Sequence, residues 1–158
     1  MNNTQEKLTG EQIIEILKNS EISVYSFAME DLDIDYEFSK EALEADKKKD
    51  EWLENNPNPG YGKEGYDKWL KEYKSYPSKY EVKENEWKKA NNIPNWKEVE
   101  QYGGESMGDT WYSVKYFPDH DVYIRVDGWY QSHNGTDFNG WEDCSVVKPV
   151  EKTITVYE

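Results

Sequence analysis

The sequence predicts an α+β fold: an antiparallel β-sheet of three to five strands with an N-terminal helix and a helical insertion. Three observations predict it. Residues 9–19 space apolar side chains at helical intervals. Residues 39–95 hold amphipathic stretches, each with one tryptophan and each closed by a proline. From about Lys97 onward, alternating segments rich in β-branched and aromatic residues take over. Residues 1–38 and 96–158 are therefore expected to form the core α+β domain, with 39–95 as the insertion.

Thr9 is placed to N-cap a helix running to about Asn19. Glu11 and Glu15 sit near its positive end, and Ile13, Ile14 and Leu17 mark its buried face. "ISVYSF", residues 22–27, reads as a short strand or extended connection. Next, "DLDIDYEF", residues 31–38, alternates acid and apolar residues without a break. As a half-buried strand it would turn Leu32, Ile34, Tyr36 and Phe38 inward. It would present Asp31, Asp33, Asp35 and Glu37 outward, neighbours roughly 6.7 Å apart. Aspartate is a poor strand residue, so an irregular acidic loop is the rival reading.

The insertion contains a degenerate repeat: "DEWLENNP", "DKWLKEYKSYP" and "NEWKKANNIP", with Trp52, Trp69 and Trp87 at matching places and Pro57, Pro77 and Pro94 behind them. Tyr66, Trp69, Leu70 and Tyr73 follow the i, i+3, i+4, i+7 pattern. Two or three short helices are expected, with "NNPNPGYG", residues 55–62, as a loop. Downstream, "TWYSVKYF" (110–117), "DVYIRVDGWY" (121–130) and "EKTITVYE" (151–158) read as strands. "PDH" (118–120) reads as a hairpin connection, and residues 102–109 and 131–143 as loops.

The 158 residues carry 33 acids and 19 bases, a net charge of −14, with a mean hydropathy of −1.10. Seven Trp, thirteen Tyr and four Phe oppose the disorder that such polarity suggests, because each ring buries a large area. The acidity lies at the two ends. Residues 1–50 carry 13 acids and six bases, 51–100 carry ten and nine, and 101–158 carry ten and four. Such a chain should not bind nucleic acid directly, since phosphate backbones demand basic patches, nor an anionic membrane surface. It is suited to the proteins that bind nucleic acid. The one cysteine, Cys144, excludes an internal disulfide and a cysteine-based zinc site. The N-terminus has no apolar run of a signal peptide, and no stretch is long enough to span a bilayer.

No catalytic motif stands out. Asp31, Asp33 and Asp35 imitate the start of a calcium loop, but Tyr36 stands where its glycine belongs and Ala42 where its glutamate belongs. His120 lies between Asp119 and Asp121 in what reads as an exposed turn. His133 and Cys144 lack any local signature of a thiol–imidazole pair. Neither phosphate-loop, dinucleotide nor zinc-protease motifs occur. No catalytic residue, metal ligand or cofactor is assigned, and the chain reads as a binding protein rather than an enzyme. Alternation puts Tyr123, Arg125 and Asp127 on one face of a strand, with Trp129 farther along, and Val122, Ile124 and Val126 on the other. Arg125, the sole arginine, is expected to pair with Asp127 or another carboxylate on that face. The candidate partner-binding residues are therefore Asp31, Asp33, Asp35, Glu37, Tyr123, Arg125, Asp127 and Trp129.

The segment "GGESMGDTWYSVKYFPDHDVYIRVDGWYQSHNGTDF", followed by "VKPVEKTITVYE", resembles the C-terminal module of small accessory proteins of tailed bacteriophages. "IIEILKNSEISVYSFAMEDLD" is similar to their N-terminal module; residues 39–95 depart from that pattern. The resemblance implies a setting, the host bacterial cytoplasm, and carries over no catalytic residue. By class, it implies a non-enzymatic inhibitor of a host nuclease or other nucleic-acid-binding defence protein, of the anti-CRISPR or anti-restriction type. A protein–protein adaptor acting through the aromatic insertion, a small-molecule or nucleotide binder and a homodimer are the other expectations.

Overall fold

The computed structural model describes residues 6–20, 22–29, 32, 34, 37–105 and 108–153. Over those residues the fold is α+β, with five helices and one five-stranded antiparallel sheet. The chain divides into two compact units: Met1–Asp33 with Asn95–Glu158, and Ile34–Pro94.

The first unit begins with α1, Gly10–Asn19. Thr9 caps it as the sequence suggests, but its capping-box partner is Gln12. The Gln12 amide N–H donates to the Thr9 hydroxyl at 3.3 Å, and the Thr9 amide donates to Gln12 Oε1 at 2.8 Å. Ile13 and Leu17, one turn apart, are fully buried; Ile14 is only partly so. Next comes a correction. Val24–Ala28 is a helix, α2, where a strand or extended link was expected. Ser23 caps it by accepting from the Ser26 amide at 3.0 Å. Strand geometry would have sent Val24 and Phe27 to opposite sides, whereas one helical turn buries both. Burial of that pair outweighs the β-propensity of Val, Tyr and Phe.

Asp31, Asp33, Asp35 and Tyr36 of the acidic stretch lie outside the described residues. Its remaining members, Leu32, Ile34, Glu37 and Phe38, belong to no strand.

The sheet comprises β1, Lys97–Tyr102; β2, Thr110–Phe117; β3, Val122–Gln131; β4, Gly135–Asp137; and β5, Cys144–Val147. β2 and β3 form the central hairpin, in register from Thr110 opposite Trp129 to Phe117 opposite Val122. β1 pairs the outer side of β2, with a bulge between Glu98 and Glu100. The far side of β3 is shared: β5 pairs its first half and β4 its last three residues. The sequence showed β2 and β3 and missed the three short strands. Of the strand expected at 151–158, residues 151–153 carry no strand. Residues 154–158 lie outside the described part.

Alternation gives this sheet two unlike faces. One carries Trp111, Ser113, Lys115 and Phe117 of β2 beside Val126 and Ile124 of β3, all buried. α1 and α2 cover it. Phe27 packs against Phe117, Trp96 and Trp141 with ring centroids 6.3, 5.7 and 5.7 Å apart, and the Trp141 indole N–H donates to the Ile22 carbonyl at 3.1 Å. Gly128 is required on this face, since a Cβ there would lie 2.5 Å from the Asp137 carbonyl oxygen and 2.7 Å from the Phe138 ring. Within the apolar layer, Lys115 is fully buried. Its Nζ lies 3.0 Å from Glu98 Oε2, which also accepts from the Ser113 hydroxyl at 2.7 Å. Burial raises the Glu98 pKa, but those two hydrogen bonds and the lysine charge outweigh it and hold the carboxyl below its ordinary value.

The second unit holds α3, Lys40–Asn55; α4, Tyr66–Tyr73; and α5, Lys79–Ala90. Ser39 and Ser78 cap α3 and α5 through their hydroxyls. Pro57, Pro77 and Pro94 lie just past the three helices, as the sequence pattern requires. Trp52, Trp69, Tyr73 and Tyr76 form one ring cluster; Trp69 and Tyr73 stack at 5.2 Å, and the Trp69 indole donates to the Asn56 carbonyl at 2.7 Å. These rings therefore hold α3 against α4 and the loop between them.

Replacing Glu98 by Gln should lower unfolding stability by about 1–3 kcal/mol, because Lys115 then keeps its buried charge with a weaker partner. The carboxyl is depressed in the folded state. Its contribution is therefore complete above the ordinary value of 4.5 and is lost as pH falls through the lower folded value. Urea melts of parent and Glu98→Gln should thus differ at neutral pH and converge in acid.

Candidate functional site

The first unit's two helices, α1 and α2, lie on the covered face of the sheet and not on the other. β3 presents Tyr123, Arg125, Asp127 and Trp129 there, opposite Tyr116, Val114, Tyr112 and Thr110 of β2. Four of the sequence-predicted binding residues therefore share one face. Arg125 is fixed from two sides. Its Nε and Nη2 donate to the Asp127 carboxylate at 2.6–3.0 Å, and its guanidinium carbon lies over the Tyr112 ring, 3.9 Å from the centroid. The Tyr112 hydroxyl donates to Glu100 at 2.6 Å, and that bond raises the tyrosine pKa. Tyr102 of β1 stacks on Tyr112 at 5.6 Å, and Tyr116 stacks on Tyr123 at 4.4 Å. The result is a laterally locked plane of rings and charges, with the Arg125 and Asp127 side chains 36% and 45% exposed. The chain after β5 borders it. Val147–Val150 and Lys152 form one wall of a groove of about 520 Å³, whose floor is Tyr112, Val114, Tyr123 and Arg125 and whose far wall is Val99 and Glu100.

A second surface is acidic. Thr110 faces Trp129, Trp129 faces Asp137, and Val126 faces Cys144, so the register brings Asp109, Asp137, Glu142 and Asp143 to one end of the sheet. Two of them, Glu142 and Asp143, are felt at Cys144. Burial, then the charges of Asp143, Asp127 and Glu142, push its thiol up to about 12. A thiol raised so far is a poor nucleophile at neutral pH. His133 is exposed in the same loop region. Of the predicted acidic ridge, Glu37 is exposed and belongs to the second unit, whereas Asp31, Asp33 and Asp35 lie outside the described residues.

His120 corrects the expectation of an exposed turn. It is 7% exposed, and its Nδ1 accepts from the Leu8 amide at 3.1 Å. That nitrogen carries no proton in this arrangement, and the ring ties the entry of α1 to the β2–β3 turn. Asp121, with φ of 59°, closes the turn and turns its own neighbour inward. Sequence reading passed over Lys115 and Gly128 as well. Lysine at an inward position of an alternating strand was the one available signal for the first; nothing local marks the second.

Among the described residues, no group of three or more His, Cys, Asp or Glu is arranged to hold a metal ion, and no helix is long and apolar enough to cross a membrane. No known protein family, curated protein or solved structure matches the chain.

Folded protein at neutral pH should leave Cys144 unmodified by a thiol-specific disulfide reagent, while urea-unfolded protein reacts stoichiometrically. Rapid labelling without denaturant would contradict the burial and charge environment described for it.

Proposed function

We propose that this protein is a non-enzymatic inhibitor of the phage accessory type, which engages the basic channel of a host nucleic-acid-handling defence protein through carboxylates of its first unit. The observation that carries this reading is charge segregation. The first unit holds 19 acids and seven bases, net −12; the second holds 14 and 12, net −2. Of the first unit's acids, Glu105, Asp109, Asp137 and Glu142 are exposed, and the last three lie with Asp143 at one end of the sheet. A surface of this kind complements a channel built for phosphates and accelerates encounter with it. The adaptor reading through the insertion is less favoured, because Trp52 and Trp69 serve the second unit's own ring cluster.

The test is capture from bacterial lysate on immobilised protein, followed by washes of rising salt and mass spectrometry. A nuclease or other nucleic-acid-binding protein should be retained at low salt and released by high salt. Asp109→Asn, Asp137→Asn, Glu142→Gln and Asp143→Asn together should weaken capture at least tenfold, and a second variant neutralising Asp31, Asp33, Asp35 and Glu37 measures the share of that stretch. Capture that ignores both salt and neutralisation would rule out the acidic mode of binding.

A further inference from the structure

We infer that Asn139 is a self-modification site: its carboxamide deamidates through a cyclic imide formed with the Gly140 amide nitrogen, which places a new carboxylate at the acidic end of the sheet. Asparagine followed by glycine is the dipeptide in which this reaction is least hindered, because no Cβ on the second residue obstructs the approach of its nitrogen to the asparagine Cγ. The chain has two such dipeptides, Asn134–Gly135 and Asn139–Gly140, and they flank β4. Both asparagines are exposed. The local sequence makes them equivalent, but the fold does not.

Asn134 and Gly135 are held in place. The Asn134 side-chain amide donates to Gln131 Oε1 at 3.1 Å, its backbone amide donates to the Gln131 carbonyl at 3.0 Å, and Gly135 is the strand partner of Gln131. Imide formation there must first open the end of the hairpin. At Asn139–Gly140 both reacting groups are free. Among the described residues, the Asn139 carboxamide makes no hydrogen bond and the Gly140 N–H has no acceptor. The segment is held only through other atoms: the Asn139 backbone amide donates to Asp143 Oδ2 at 3.3 Å, and the Asp143 amide donates to the Gly140 carbonyl at 3.1 Å. Gly140 adopts φ 155° and ψ −168°, a region essentially confined to glycine, so this backbone keeps the dipeptide reactive.

The Gly140 nitrogen loses its proton to solvent and bonds to Asn139 Cγ. The Cγ–Nδ2 bond breaks, and Nδ2 takes a proton from water and leaves as ammonia. Water then opens the imide at either of its carbonyl carbons and the Gly140 nitrogen regains its proton, giving aspartate or isoaspartate. One water is consumed and one ammonia released, and nothing is oxidised or reduced. Each event adds one negative charge next to Asp143, and it does so whatever that surface binds.

The test is incubation of the full chain in mildly alkaline heavy-oxygen water, folded and in guanidinium, followed by peptide mapping with tandem mass spectrometry. In the folded protein Asn139 should convert at least about tenfold faster than Asn134, whose hydrogen bonds must open first. The product should appear as two isomeric peptides, aspartyl and isoaspartyl, each carrying the heavy oxygen. In guanidinium the two sites should react at similar rates. On anion exchange, a more acidic form should accumulate in the parent and in Asn134→Gln but not in Asn139→Gln, whose longer side chain closes the ring far more slowly. Equal rates at the two sites in the folded protein, an Asn139 that stays unmodified, or an acidic form that Asn139→Gln retains would each overturn the inference.

Discussion

The register of β2 against β3 is the constraint on which the rest depends. Eight residue pairs, from Thr110 with Trp129 to Phe117 with Val122, fix which side chains enter the core. A slip by one residue would exchange the faces of one strand. Phe117, Trp111 and Ser113 would leave the helix-covered side, or Ile124 and Val126 would do so, and Arg125 would be driven into an apolar layer. The turn at Pro118–Asp121 guards against this. His120 is anchored to the entry of α1, Asp121 adopts the left-handed conformation that the connection requires, and both strands leave the turn with their parity set.

From that register the division of the first unit follows. The covered face accepts Phe27, Trp96 and Trp141 and one charged pair, Lys115 with Glu98. Burial of a lysine charge is expensive, and its retention here ties β1 to β2 through a hydrogen-bonded carboxylate rather than through apolar contact alone. The opposite face collects the tyrosines and the sole arginine into a plane locked by stacking and by two-point hydrogen bonding. Asp109, Glu142 and Asp143, carried just outside the strands, gather with Asp137 of β4 at the sheet's end.

Much of this was legible in the sequence, for stated reasons. β2 and β3 are rich in β-branched and aromatic residues, so their existence could be read directly; in β3, alternation also separated Tyr123, Arg125 and Asp127 from Val122, Ile124 and Val126 and offered Asp127 as one partner for Arg125. Thr9 and the three Trp-containing helices follow from capping chemistry and proline punctuation. What failed to show has physical causes too. α2 spans five residues, Val24–Ala28, rich in strand formers, and burial of Phe27 decides its conformation. β4 and β5 are three and four residues long, too short for a period to register. Every residue of β1 is at least partly exposed, and its sequence, KEVEQY, lacks an apolar face. At the site, alternation found Tyr123, Arg125, Asp127 and Trp129. It could not find the acidic end of the sheet, because that surface is assembled by pairing between distant segments.

The most direct test of the central claim is the set of cross-strand nuclear Overhauser contacts between β2 and β3 in the isotope-labelled protein. The account predicts contacts placing Tyr112 opposite Asp127 and Tyr116 opposite Tyr123, with Lys115 opposite Ile124. A pattern displaced by one residue, with Tyr112 opposite Val126 or Gly128, would contradict it, and with it the division into a helix-covered face and its opposite.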